Sequence, residues 1–175
     1  MLIEAVVGDL TRCDLEAVVN AANSTLLGGG GVDGALHRAA GPDLLARCRL
    51  VRATTHRAGL ATGDAVATSA GRLLARFVIH TVGPVHSEHP DGGAELLAAC
   101  HRRSLEVAAI LGVRSVAFPA VSCGAYGWRT AMAAPIAIRA VREFAAAVPD
   151  SGIDRVLFVL ASERAHADFA AAIGL

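Results

Sequence analysis

The sequence predicts an α/β sandwich in which helices cover both faces of a largely parallel sheet. Short apolar runs rich in β-branched residues alternate with longer segments of helical periodicity, and Gly or Pro separates most of them. This alternation is typical of parallel sheets, because parallel neighbours need a crossover connection. The chain has 175 residues and no linker-like stretch, so we expect residues 1–175 to form one domain.

The first part of the chain predicts two strands followed by two helices. Residues 2–7 and 16–20 are short apolar runs that predict strands. A brief helix is predicted over residues 33–40, because Gly41 and Pro42 are typical of a helix end. Pro42 also suits the first turn of the next helix, which is predicted to continue to residue 52.

The middle of the chain predicts two more strands and a long helix. Residues 53–63 are expected to cross the surface, and residues 64–68 alternate weakly as a strand. Residues 76–82 are mostly apolar and predict a buried strand. A polar loop is expected at 87–93, and apolar residues at helical spacing predict an amphipathic helix over 95–111.

The last part of the chain predicts two strands. The first covers residues 115–121 and contains Pro119, which indicates an edge, a bulge or the end of the strand. The second covers residues 155–160.

Two helices follow these strands. One is predicted from about residue 130 to residue 148, where Pro135 is expected to be tolerated only near the first turn. The other is predicted to follow Ser162, a suitable N-cap, and to end at about residue 173.

Composition and charge narrow the classes of function. The chain carries 16 basic and 16 acidic residues, and 4% of its residues are aromatic. A neutral chain has no global field that attracts nucleic acid, so we expect no general nucleic-acid binding. No apolar run is long enough to span a membrane, and the first residues lack the pattern of a secretory signal. We therefore expect a cytoplasmic protein without a membrane partner.

The cysteines argue against a metal centre. The four cysteines lie far apart and form no CxxC pair, so the spacing of a zinc knuckle or a redox dithiol is missing. We expect no bound metal.

Three loops that follow predicted strands carry the candidate site residues. They are Gly8 and Asp9 after the first strand, residues 20–33 after the second and residues 122–127 after the fifth. Ligands of open α/β sheets bind beyond the carboxyl ends of the strands, so this is where the sequence places a site.

Two of these loops are rich in glycine, with four consecutive glycines at 28–31. Glycine lets backbone N–H groups approach phosphate oxygens, so two such loops at one sheet edge are able to hold a diphosphate from two sides. The alternative is that each loop is only a tight turn. The first loop lacks the P-loop pattern and the second lacks the GxGxxG pattern, which disfavours P-loop nucleotide hydrolysis and Rossmann hydride transfer.

Asp33 is the most suggestive single residue. A carboxylate beside glycines that attract phosphate is electrostatically unfavourable unless it has a task, although the helix dipole also favours an acidic residue in a first turn. His37 lies four positions later on the same helix face. It either hydrogen-bonds to Asp33 or to a ligand, or it is a half-buried structural histidine.

Four further side chains are candidates for ligand contacts. Asn20 and Asn23 end an apolar strand, where one amide is expected to tie down the turn and the other to hold ribose hydroxyls. Asp9 either accepts from an exocyclic amine such as that of adenine or caps the short turn that follows it. Tyr126 either packs on a sugar or covers the core.

Taken together, these motifs resemble the macrodomain family, specifically its MacroD-like branch of ADP-ribosyl hydrolases. The matching segments span most of the chain in the expected order, and the block from Asn23 to Asp33 is the most specific of them. The segments are Gly8-Asp9-Leu10, Val19 to Ser24, Leu27 to Ala40, His80-Thr81-Val82-Gly83-Pro84 and Phe118 to Gly127.

The resemblance implies a three-layer α/β/α sandwich around a mixed, roughly six-stranded sheet, with a cleft for ADP-ribose. Asp33 would be the catalytic acid–base residue, and Asn23 would orient the distal ribose beside it. Cys123 stands where the family usually has Thr or Ser, which would leave only backbone donors there. The predicted ADP-ribose contacts are Asp9 and Leu10 at the adenine, Gly31, Val32, Ser122, Cys123, Gly124, Ala125 and Tyr126 at the diphosphate, and Asn20, Asn23 and Asp33.

The resemblance also implies an activity. Members of this branch hydrolyse mono-ADP-ribose that is ester-linked to Asp or Glu side chains of proteins, and they deacetylate O-acetyl-ADP-ribose. The predicted partners are therefore ADP-ribose, its esters and mono-ADP-ribosylated proteins. No metal or cofactor is expected, since a water held between Asp33 and a phosphate oxygen is oriented for attack. The alternative is a module that binds ADP-ribose without turnover, but such a module needs no carboxylate at position 33.

Overall fold

Six strands form one mixed sheet in the computed structural model, which describes residues 1–89 and 92–174. The order across the sheet is β1-β6-β5-β2-β4-β3, and β3 is antiparallel to β4 while the other pairs are parallel. The predicted mixed six-stranded sheet is thus confirmed. The strands are β1 (Leu2–Val7), β2 (Ala17–Ala22), β3 (Ala65–Ser69), β4 (Phe77–Val82), β5 (Ser115–Phe118) and β6 (Arg155–Leu160).

Five α-helices in the described residues cover both faces of this sheet. One face packs against α3, α4 and α5 through an apolar cluster that contains Leu105, Ile138 and Phe169. The other face packs against α1 and α2 through a second cluster that contains Leu36 and Leu44. The helices are α1 (Gly31–Ala40), α2 (Pro42–Thr54), α3 (Gly93–Ile110), α4 (Thr130–Ala147) and α5 (Glu163–Ile173), and two 3-10 helices cover Leu10–Arg12 and His86–Glu88.

Most element boundaries lie within three residues of those predicted. The strands predicted at 2–7 and 155–160 have the bounds of β1 and β6, and Pro119 follows directly after the end of β5. Ser162 caps α5 as predicted, because its side chain accepts a hydrogen bond from the backbone N–H of Ala165. The predicted polar loop at 87–93 begins within the second 3-10 helix, and residues 90 and 91 lie outside the described part of the chain.

The prediction for Pro135 was wrong. This residue is the sixth of α4 and lies in its second turn. A proline there has no N–H for the carbonyl four residues earlier, so α4 forms at the cost of one backbone hydrogen bond. Its buried apolar face, which includes Ala134, Ile138 and Val141, offsets that cost.

The surface crossing predicted at 53–63 is partly buried and supports the first glycine loop. Leu60 is buried, and its backbone N–H donates to the carbonyl of Ser24 over 2.9 Å. The N–H of Gly63 donates to the carbonyl of Val82 over 2.8 Å, which ties the crossing to the end of β4. None of the helices in the described residues is both long and apolar enough to cross a membrane.

Candidate functional site

A cleft of about 280 Å³ lies at the carboxyl ends of the parallel strands. It is formed where β2 and β4 end, and by the loops that lead from β2 to α1 and from β5 to α4. The lining residues are Ala21 to Asn23, Gly29 to Asp33, Gly83, Ala120, Ser122 and Gly124 to Tyr126.

A larger open groove of about 710 Å³ lies at the opposite end of the sheet. It is lined by residues of α2 and by the start of β4 at Phe77. Charges of both signs, such as Asp43 and Arg47, line this groove. The cleft is the better candidate site because both glycine-rich loops and a buried carboxylate converge there.

The first glycine loop offers backbone amides to the cleft. Helix α1 begins at Gly31, two residues earlier than predicted, and no side chain caps its N-terminus at Gly30. Its first backbone bond runs from the N–H of Gly34 to the carbonyl of Gly30 over 3.2 Å. Among the described residues, the N–H groups of residues 28–33 donate to no protein acceptor. This uncapped helix start therefore suits an anionic group.

The loop lies directly against α1 because residue 34 is glycine. A Cβ on Gly34 would come within 2.4 Å of the carbonyl oxygen of Gly29. Any larger residue would push the loop away from the helix, so this close contact fixes the height of the loop amides above α1.

The second glycine loop faces the first across the cleft. Ser122 has a φ of 65°, which lies in the left-handed region that non-glycine residues seldom adopt. In the described residues, the N–H groups of residues 124–126 donate to no protein acceptor, while the loop is closed by a bond from the N–H of Trp128 to the carbonyl of Ser122 over 3.1 Å. The two loops together thus present backbone donors from two sides.

The Gly83→Ala variant is expected to lower the free energy of unfolding by about 1–3 kcal/mol, because the site is already closely packed. The added Cβ would lie 2.0 Å from Oγ of Ser122 and 2.9 Å from Cγ1 of Val121. Urea denaturation measures the change. The double variant with Ser122→Ala is expected to recover part of the loss, because the Ser122 hydroxyl has no hydrogen-bond partner among the described residues.

Gly92→Ala is the matched control, since a Cβ at Gly92 meets no heavy atom within 4 Å in the part of the chain that the structure describes. Equal unfolding free energies for Gly83→Ala and the wild type would contradict the packing described for the second loop.

Asp33 lies in the first turn of α1 and is buried, with 4% of its surface exposed. Its Oδ1 accepts a hydrogen bond from Nδ2 of Asn20 over 2.7 Å. Its Oδ2 has no hydrogen-bond partner among the described residues and lies 3.1 Å from the position of a Cβ on Gly29. Nε2 of His37 is 3.4 Å from Oδ1 but forms no hydrogen bond with it. The carboxylate therefore has one fixed oxygen and one that faces the first glycine loop.

Asn23 lies beside this second oxygen. Its Oδ1 accepts from the N–H of Thr25 over 3.0 Å and from the Thr25 hydroxyl over 2.5 Å, and its Nδ2 donates to the carbonyl of Gly28 over 3.1 Å. Nδ2 is also 3.2 Å from the position of a Cβ on Gly29. Asn23 thus ties down the turn and lines the cleft next to Asp33.

The structure does not support direct ligand contact by Asn20. This side chain is completely buried beneath Asp33 and does not line the cleft. Since Asn20 lies on β2 with its amide bonded to Asp33, it positions the carboxylate instead.

Two buried polar residues next to Asn20, His80 and Thr68, were not among the predicted site residues. Nδ1 of His80 is 3.1 Å from Nδ2 of Asn20, and Nε2 of His80 is 2.9 Å from the Thr68 hydroxyl. Burial, and secondarily the nearby His37, lowers the pKa of His80 to about 3, so the ring is neutral. The available signal was a histidine within a mostly apolar strand, since such a buried polar group needs partners.

Tyr126 lines the cleft from the second loop, and its carbonyl accepts from the N–H of His86 over 2.8 Å. Burial raises the pKa of its phenol, and the negative charge of Asp33 adds to this effect. Tyr126 is therefore a neutral hydroxyl in the electrostatic field of Asp33.

Contrary to the prediction, Cys123 does not line the cleft. Its side chain packs against the apolar cluster that contains Leu97 and Trp128, and its N–H donates to the carbonyl of Ala120 over 3.2 Å. Burial raises the pKa of its thiol to about 12. Neither its side chain nor its amide is therefore available to a ligand in the cleft.

Asp9 and Leu10 lie at the end of β1, outside the lining of the cleft. Oδ1 of Asp9 accepts from the N–H and the hydroxyl of Thr11 over 2.9 and 2.7 Å, so Asp9 caps the first 3-10 helix. These hydrogen bonds lower the pKa of its carboxyl. Leu10 is buried in the cluster beneath α1 and α2. The capping interpretation of Asp9 is confirmed, while adenine contacts of both residues stay a prediction.

Within residues 1–89 and 92–174, no group of three or more His, Cys, Asp or Glu side chains is placed to hold a metal ion.

Comparisons with known proteins agree with this geometry. The family model described as Macro domain matches residues 19–137. The chain is 53% identical to the Macro domain-containing protein SCO6450 of Streptomyces coelicolor, over 98% of either chain. It is 51% identical to a protein of Cronobacter turicensis named O-acetyl-ADP-ribose deacetylase, over 81% of this chain and 80% of that protein.

Solved structures give the same result. The Oceanobacillus iheyensis macrodomain with ADP has a TM-score of 0.91 and 42% identity, and the match covers 97% of this chain and 88% of that chain. The Trypanosoma brucei macrodomain in complex with ADP-ribose has a TM-score of 0.87 and 38% identity, with 98% of this chain and 69% of that chain covered.

Proposed function

Because this chain belongs to the macro domain family, we propose that it binds ADP-ribose in the cleft and hydrolyses esters of ADP-ribose. The substrates are O-acetyl-ADP-ribose and proteins that carry mono-ADP-ribose in ester linkage to Asp or Glu. One observation carries the proposal: two sets of unpartnered backbone amides face a cleft that also contains the buried carboxylate of Asp33. The deacetylase name of the Cronobacter turicensis relative supports it.

The amides supply the binding part of this function. A diphosphate carries negative charge on both phosphates, and donors on opposite walls are able to bind both. The first wall is the start of α1, where Gly31 and Val32 offer their N–H groups along the helix dipole. The second wall is the loop over residues 124–126. With the diphosphate held between them, the distal ribose reaches Asn23 and Asp33.

Asp33 supplies the chemistry. Its Oδ2 accepts a hydrogen bond from a water molecule and takes a proton from it as the water attacks the ester. The ester C–O bond breaks, Asp33 returns the proton to the departing oxygen, and the products are ADP-ribose and the free carboxylic acid, with the Asp33 carboxylate restored. Asn23 lies beside Oδ2 and holds the ribose in place. This scheme needs no metal ion or cofactor, because the carboxylate acts as the base.

The test incubates the protein with O-acetyl-ADP-ribose and, separately, with a glutamate-linked mono-ADP-ribosylated protein, and follows free ADP-ribose by chromatography. Release from both substrates, unchanged by EDTA, is the expected result. Calorimetry with ADP-ribose runs in parallel. Binding without release from either substrate would favour the binding module over the enzyme, and the absence of binding would contradict both functions.

A further inference from the structure

A line of polar side chains crosses the sheet beneath the cleft. His80 on β4 pairs in register with Asn20 on β2, and Thr68 on β3 lies diagonally across from His80 on the same face. All three residues are at least nine-tenths buried, and the surrounding side chains of this face form the apolar cluster under α1 and α2. Buried polar groups in such surroundings are costly unless they are mutually bonded, which suggests a task for the line.

With Asp33 as a carboxylate and the His80 ring neutral, the hydrogen inventory allows one arrangement of this line, and it leaves only Oδ1 of Asn20 without a partner among the described residues. The amide nitrogen of Asn20 carries two hydrogens and accepts none, and it faces Oδ1 of Asp33 at 2.7 Å and Nδ1 of His80 at 3.1 Å. Nδ1 of the neutral ring must therefore be the acceptor, so the ring proton is on Nε2. Nε2 donates to the Thr68 hydroxyl over 2.9 Å, with Sγ of Cys48 also 3.6 Å away.

The opposite orientation of Asn20 is unfavourable. A rotated amide would place its carbonyl oxygen against the Asp33 carboxylate, and two acceptors would then face one another. The same rotation would place this oxygen about as close to the acceptor at Nδ1 of His80, so the Asp33 carboxylate and His80 both favour the orientation in which Asn20 donates to Asp33. Since Oδ1 of Asp33 is occupied by this bond, Oδ2 is the oxygen left without a partner among the described residues, and it is buried against the first glycine loop.

We propose that His80 is a positioning residue for hydrolysis: through Asn20 it fixes the rotation of the Asp33 carboxylate so that Oδ2 faces the substrate. The inference rests on the proposed function of Asp33. His80 does not touch the ligand, so its contribution is to the rate of the chemical step and not to the affinity for ADP-ribose.

Two substitutions at position 80 test this role. His80→Leu removes the acceptor, and kcat for O-acetyl-ADP-ribose is expected to fall about tenfold or more because the carboxylate is misplaced. KM and the Kd for ADP-ribose are expected to stay within about twofold, since the cleft amides are untouched. His80→Asn places a carbonyl oxygen near the position of Nδ1 and is expected to restore most of kcat. Both variants lose the bond to Thr68, so a merely structural role would affect them alike.

Val78→Ala is the matched control, because Val78 lies on the same strand and the same face of the sheet and is equally buried. It is expected to lower the stability and leave kcat unchanged. An unchanged kcat in folded His80→Leu would overturn the inference. A wild-type protein without turnover would instead refute the proposed function.

A measurement on the unmodified protein does not depend on how the variants fold. Long-range ¹H–¹⁵N correlation spectra of the imidazole rings identify which nitrogen carries the proton. The proton of His80 is expected on Nε2, with no titration between pH 5 and pH 8. A proton on Nδ1 would overturn the inference, because Asn20 would then have no acceptor at His80.

Discussion

The Asp33→Asn variant is expected to hydrolyse O-acetyl-ADP-ribose at least about a hundredfold more slowly than the wild type, because general-base catalysis contributes factors of this size. Asparagine has nearly the same shape, and its side-chain oxygen is still able to accept from Nδ2 of Asn20. The fold and the loop amides should therefore stay intact, and only the basic carboxylate is lost. Initial rates by chromatography give kcat, and calorimetry is expected to give a Kd for ADP-ribose within about threefold of the wild type.

Asp43→Asn is the matched control for this substitution. Asp43 also lies in the first turn of a helix, but it is exposed and lies outside the cleft. The expected kcat of this control equals that of the wild type. Turnover by Asp33→Asn at the wild-type rate would show that Asp33 is only a first-turn acidic residue stabilised by the helix dipole.

The sequence was sufficient to predict the strands that are locally distinct. The runs that form β1 and β6 are mostly apolar; Gly8 and Asp9 follow the first, and the second begins directly after Asp154, so the local pattern indicates where they lie. The predicted β2 ended two residues too early, at Asn20 instead of Ala22. The predicted α1 began two residues too late, at Asp33 instead of Gly31. Ala22 extends β2 because it pairs with Val82 of β4, and this long-range pairing leaves no local signal. The order of strands was likewise not predictable from local pattern.

The candidate site was likewise predicted only in part. Both glycine loops and Asp33 were predicted, because their chemistry is visible in a short stretch of sequence. Asn20 and Cys123 were predicted to contact the ligand, but Asn20 is completely buried and the side chain of Cys123 packs against an apolar cluster. Successive side chains of a strand point to opposite faces, so a shift of one residue decides whether a side chain faces the cleft or the core. Composition does not encode this direction. His80 was missed for the complementary reason, since its partners lie on two other strands and one helix.

Acidification from pH 7 to pH 5 is expected to lower the free energy of unfolding by about 4 kcal/mol, at about 1.4 kcal/mol per pH unit for each of two buried histidines. Burial lowers the pKa of His80 to about 3 and that of His101 to about 4, against 6.5 in the unfolded chain. Below pH 6.5 the unfolded state therefore binds protons that the folded state does not. Stability is fully present above pH 6.5 and falls as the pH drops towards the two folded-state values. Urea denaturation at several pH values measures the slope.

His101 allows the two contributions to be separated. Its ring stacks on Phe118 with a centroid distance of 5.2 Å, and Nδ1 donates to the carbonyl of Leu97 over 2.8 Å. Nε2 has no hydrogen-bond partner among the described residues, so this ring gains little from its polarity. His101→Phe keeps the stacking and removes one titrating group, which should halve the pH dependence to about 2 kcal/mol between pH 7 and pH 5. If the stability of the wild type does not vary between pH 7 and pH 5, the buried rings must take up protons in the folded state. The line of polar side chains that positions Asp33 would then carry a charge at His80.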